Sequence, residues 1–165
     1  MSVIEYAAQL TAPWAQLYSD STLVSTGVLF AHLGGLLLGG GFAIAADRMT
    51  LRMVRAGAAE RRIHLHELRA VHRPVLLGLS VTLLSGTLLL AADVATFLPA
   101  PLFWLKMGLI AVLLGNGVVL VRTEAALRNR RGVPWQMWRR LRNASRTSLF
   151  LWFGSLLLGT ALLTA

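Results

Sequence analysis

The chain has 165 residues, is 56% hydrophobic and only 14% charged, carries a net charge of +9 and contains no cysteine. A soluble domain of this length cannot hide that much apolar surface. Without cysteine there are no disulfides, thiolate metal sites, iron–sulfur clusters or thioether-attached haem. No Gly-rich phosphate loop, nucleophile elbow or zincin motif is present, so no enzyme is expected.

Residues 1–20 carry Glu5 and Asp20 but no Lys or Arg, unlike a cleavable leader. They are too polar to span a bilayer and read as a short outer interfacial helix, broken near Pro13, with Trp14 and Tyr18 at headgroup level. A spanning helix needs about 20 apolar residues. Four segments qualify: 21–46, 74–98 (containing Asp93), 101–121 (containing Lys106) and 147–165. The short turn from Leu98 to Pro101 predicts a tight antiparallel hairpin between the second and third.

Fifteen of the sixteen basic residues lie in the two stretches between these segments, 47–73 and 122–146. Cytoplasmic loops collect Lys and Arg, so both stretches belong inside and both chain ends outside. The expectation is an all-α membrane protein: one four-helix bundle, N-out and C-out, in a bacterial inner membrane, with amphipathic helical loops. The basic charge is explained without nucleic acid. In the second loop, Pro134 suits a first helical turn. Trp135, Trp138 and Leu141 then share a face, ringed by Arg139, Arg140 and Arg142. Anionic lipid would favour such a helix by about 1 kcal/mol per basic residue; docking to a partner is the competing reading.

Small residues recur at helical spacing in every span. Gly27, Ala31, Gly35 and Gly39 mark the first, and Gly78, Thr82 and Gly86 the second. Gly108, Ala111 and Gly115 mark the third, and Ser148, Ser155 and Gly159 the last. Such faces let membrane helices approach closely. The run Gly39-Gly40-Gly41 reads either as a flexible point or as room for a flat cofactor.

Ionisable groups at membrane depth are functional candidates. His32 lies in the middle of the first span on the stripe of Gly35 and Gly39. It either bonds across helices or holds a haem, metal or quinone. Asp93 and Lys106 lie at matching depth, ~7 Å from the outer interface by helix rise, and read as an ion pair. His32, Asp93 and Lys106 are also candidates to line one outward-facing pocket. Asn116 reads as an interhelical hydrogen bonder. Glu60, His64 and Glu67 share a helical face, as do His64, Leu68 and His72. The surrounding arginines oppose a cation there, so a solvated helix is expected. His72 cannot share a haem with His32, which sits ~20 Å above the inner interface by helix rise.

Phe30-Ala31-His32-Leu33-Gly34-Gly35 followed by Asp47-Arg48, then Ser85-Gly86-Thr87-Leu88-Leu89, then Phe103-Trp104-Leu105-Lys106-Met107-Gly108 with Asn116, form an ordered series. The series resembles small bacterial four-helix membrane proteins of unknown function. It is also similar to the membrane part of copper-resistance D-like proteins. That resemblance implies copper handling or haem b association at His32, with Gly35 and Gly39 beside the cofactor. The chain departs from a copper carrier in having no Cys and no Met-x-Met cluster, so soft ligands are sparse. Two functional readings follow: a haem- or metal-linked membrane protein centred on His32, or a non-catalytic accessory subunit of a respiratory or photosynthetic complex. A small oligomeric transporter is a third. Membrane lipids, and other membrane subunits or further copies of the chain, are the expected partners.

Overall fold

The structure is a computed structural model that describes residues 2–129 and 135–162. Within them every regular element is a helix. Helix α1 (Val3–Asp20) starts at Ser2, whose hydroxyl accepts the Glu5 amide while the Glu5 carboxylate accepts the Ser2 amide. This reciprocal cap satisfies two of the helix's orphan donors. Helix α1 runs unbroken through Pro13, contrary to expectation. The carbonyl of Gln9, which a proline cannot bond, lies on the exposed face of the helix.

Ser21 alone separates α1 from α2 (Thr22–Met53) and caps it through its hydroxyl. Residues 54–57 then turn into α3 (Ala58–Ala92), whose first turn is closed by Glu60 accepting the Gly57 amide. The first arginine-rich stretch is therefore no separate loop. It is the continuation of two long helices, and α3 passes through Pro74 without ending. A one-turn helix α4 (Val94–Phe97) precedes α5 (Pro101–Asn129), with Pro101 at the first helical position. The last helix, α6 (Trp135–Ala161), joins the expected interfacial helix and the fourth apolar segment into one rod. Pro134 and the end of the fourth segment, residues 163–165, lie outside the described residues.

Three helices are long and apolar enough to cross a membrane: Thr22–Met53, Ala58–Ala92 and Pro101–Arg128. Only 17%, 11% and 6% of their most apolar windows are buried, so most of that surface faces outward. In water this would drive aggregation; against lipid tails it carries no penalty.

The helices pack as two hairpins, α2 with α3 and α5 with α6, joined where α2 meets α6. The expected tight hairpin between α3 and α5 does not form: the two touch only lightly. Asp93 ends α3, and α4 with the turn after it sets the two helices apart. Helix α1 packs beside the ends of α2, α3 and α4, and the Trp14 indole donates to the Leu88 carbonyl at 2.8 Å.

The α2–α3 seam is made by glycine. A β-carbon on Gly35 would lie 2.6 Å from Thr82 Oγ1 and 2.9 Å from Gly78 O, and one on Gly78 would collide with Gly39. Gly40 faces the Trp152 ring, whose carbons lie 3.2 Å from where its β-carbon would be. The most enclosed apolar cluster lies in the arginine-rich half: Val54, Leu65, Leu68, Leu127, Trp138 and Leu141. A second joins Leu113, Leu151 and Trp152 between the apolar segments. Where the helices leave the hydrocarbon, water restores a reason to bury apolar side chains.

Candidate functional site

Two polar centres stand out, one in each half of the bundle. In the apolar half, His32 Nδ1 lies 3.2 Å from both Thr82 O and Ser85 Oγ on α3. A carbonyl can only accept, so Nδ1 carries the proton and Nε2 keeps the lone pair. The Ser85 hydroxyl donates to Val81 O at 2.6 Å, so its oxygen is free to accept from the imidazole. The ring's Cε1 sits against Gly86, where a β-carbon would be 3.1 Å away. His32 is thus an interhelical clasp, seated by a glycine and held by a serine.

The other candidates around His32 are not gathered into one pocket. Gly35 and Gly39 are filled by the backbone of α3, which leaves no space for a flat macrocycle on that stripe. Among the described residues no three His, Cys, Asp or Glu side chains converge. Asp93 and Lys106 do not form the expected ion pair. Asp93 is exposed and uses Oδ1 to accept the Thr96 amide, capping α4. Lys106 instead lays its ammonium against α6, 3.3 Å from where a Gly159 β-carbon would be. A carboxylate at a helix start finds backbone donors without paying for a distant partner.

The basic-helix residues also differ from expectation. Trp138 is 6% exposed and belongs to the core, with the Arg61 guanidinium 5.4 Å above its ring. Leu141 is fully enclosed. The expected lipid-facing row of Trp135, Trp138 and Leu141 thus splits, and only Trp135 faces outward. Arg139 and Arg140 are exposed, whereas Arg142 is half-buried with an enclosed Nε that has no hydrogen-bond partner. Asn116 donates to Ala144 O at 2.9 Å, joining α5 to α6 as its position called for.

The second centre lies just beyond the apolar segments, which end at Ala46 and Val121. Asp47 on α2 and Glu124 on α5 are each only 5% exposed. Ser145 and Ser148 of α6 are buried and approach the Asp47 carboxylate. Across the lightly packed side, His72 Nε2 of α3 reaches Glu124 Oε2 at 3.1 Å. Its direction is too poor for a hydrogen bond, and that oxygen has no hydrogen-bond partner. Alongside, Thr50 Oγ1 meets His64 Nε2 at 2.9 Å, both buried, so His64 lies inside the bundle and not on a solvated face.

Burial pushes the Asp47 carboxyl up to about 6, against the opposing influence of the nearby polar Ser148 and Ser145, whose hydroxyls approach it without closing a hydrogen bond. Burial and then the nearby Asp47 charge push Glu124 up to about 7, with Arg128 opposing. Burial, then the Arg128 charge, lowers His72.

Sequence reasoning passed over this cluster because its members stand in segments read as solvated loops. One signal was present: Glu124 is the only acidic residue in 122–146, among eight arginines.

The chain matches no family model, no curated protein and no solved structure.

Proposed function

We propose that the chain is a four-span inner-membrane protein that serves as a non-catalytic membrane subunit, completed laterally by lipid and by another membrane subunit or a second copy. Both arginine-rich ends lie in the cytoplasm, with residues 1–20 and the α3–α5 connection outside. The carrying observation is the uncovered side of the bundle, where α3 and α5 barely touch while their apolar windows face outward. The filled glycine stripe and the His32 clasp support a packing role for this half of the molecule over a cofactor role.

The deciding experiment is an absorption spectrum of the purified protein, oxidised and reduced, with elemental analysis and the mass of the detergent-solubilised particle. A colourless, metal-free particle heavier than one chain and its detergent supports the subunit reading. A Soret band or stoichiometric copper, lost in His32→Ala, overturns it in favour of a haem- or copper-linked role at the His32 Nε2 lone pair. Reporter fusions at residues 55 and 132 test the topology; opposite sides for the two would refute it.

A further inference from the structure

We propose that Glu124 and Asp47 form a proton-binding site at the arginine end of the bundle, loaded and unloaded through His72. The argument begins with charge. Two carboxylates from different helices are nine-tenths buried, and neither has a lysine or arginine within ion-pair distance among the described residues. That is unexpected in a half-molecule so rich in arginine. Asp47 is near enough for its charge to act on Glu124, and burying both without a lysine or arginine partner favours a proton on one of them or on His72.

The surroundings suit a proton better than a metal ion. From α2 come Asp47 and Thr50, from α3 His72, from α5 Glu124 with Arg128 nearby, and from α6 Ser145 and Ser148. Ser145 is 0% exposed, its hydroxyl makes no hydrogen bond, and it faces the Asp47 carboxylate. Glu124 Oε2 likewise has no hydrogen-bond partner. Both atoms are sealed from water: the Ser145 hydroxyl is free to donate to the Asp47 side, and Glu124 Oε2 is free to hold a proton. Among the described residues no three metal-ligating side chains meet here.

His72 supplies the path. Its side chain is 31% exposed, that of Glu124 only 7%, and 3.1 Å separates Nε2 from Oε2. A proton taken up by the imidazole from water passes from Nε2 to Oε2 once the half-exposed ring turns its N–H toward that oxygen. The imidazolium becomes neutral imidazole and the carboxylate becomes the acid, so charge and atoms balance. The raised carboxyls and lowered imidazole favour that direction. The positive charge of Arg128 beside His72 and Glu124 opposes a metal cation there.

The test is infrared difference spectroscopy of the full chain in lipid nanodiscs across neutral pH. The expected result is a protonated-carboxyl stretch that titrates, disappears in Glu124→Gln and shifts in Asp47→Asn. The circular dichroism of both variants checks that they fold; as near-isosteric changes they keep the side-chain volume. No protonated-carboxyl band in the wild-type chain at neutral pH, or a band unchanged in both variants, overturns the site. After a rapid pH jump, His72→Gln should slow the band's response by about tenfold or more, the scale expected for loss of a positioned proton carrier. An unchanged rate overturns the assignment of His72 as the port.

Discussion

Replacing Gly78 by alanine should loosen the α2–α3 seam, and the size of the effect follows from geometry. A β-carbon there would collide with Gly39 N and Cα and lie 2.8 Å from Gly35 O. All three are backbone atoms of α2, so no side chain can swing aside; the helices must separate. Overpacking of this kind costs about 1–3 kcal/mol. Alanine recovers up to about 1 kcal/mol through helix propensity. The net expectation is a loss of about 1–2 kcal/mol. Gly34 and Gly41 are internal controls in the same helix pair, because a β-carbon at either meets nothing within 4 Å. Alanine at those positions should leave stability unchanged or raise it slightly. Equilibrium unfolding in mixed micelles, followed by circular dichroism, measures all three variants side by side. Gly78→Ala as stable as Gly41→Ala would refute the claim that glycine sets the interhelical distance.

Trp138→Ala should destabilise the protein by about 3–5 kcal/mol, the scale for emptying an aromatic core site. Binding to anionic vesicles should change little; lost binding with intact stability would return Trp138 to the interface. Asp93→Ala should cost about 1 kcal/mol as a lost N-cap, and adding Lys106→Met should not restore it. Rescue in thermal unfolding of the double variant would revive the ion pair. The Glu124 carboxyl is raised from 4.5 to about 7 by folding, so between those values the folded state holds a proton that the unfolded state has released. Stability should therefore be full below about pH 4.5 and fall as pH rises toward 7. Glu124→Gln should flatten that slope in a series of unfolding titrations, and an unaltered slope counts against the burial argument.

Much of the architecture is written in local windows. Apolar runs and arginine-rich intervals act over a few neighbours, so one strand of letters suffices to read them. The same holds for the small residues of α2 and α3, whose spacing marked a packing stripe before its partner was known. Asn116 was legible too, since a lone amide at membrane depth has few options besides a neighbouring helix. Asp93 was not. Its matching depth with Lys106 allowed a pair, but the backbone donors of α4 were nearer, and that turn of helix left no trace in hydropathy.

Trp138 and the carboxylate cluster show where local reading ends. Amphipathic periodicity places Trp138 and Leu141 on one face, yet cannot say whether lipid or Leu65, Leu68 and Leu127 covers it. Asp47, His72, Glu124 and Ser145 stand on four different helices, each beside arginines that make its own segment look solvated. Composition and charge determine that the chain belongs against lipid and which ends carry positive charge. Which buried groups meet depends on the order of the helices around the bundle, a long-range property set by glycine contacts and by the separation of α3 from α5.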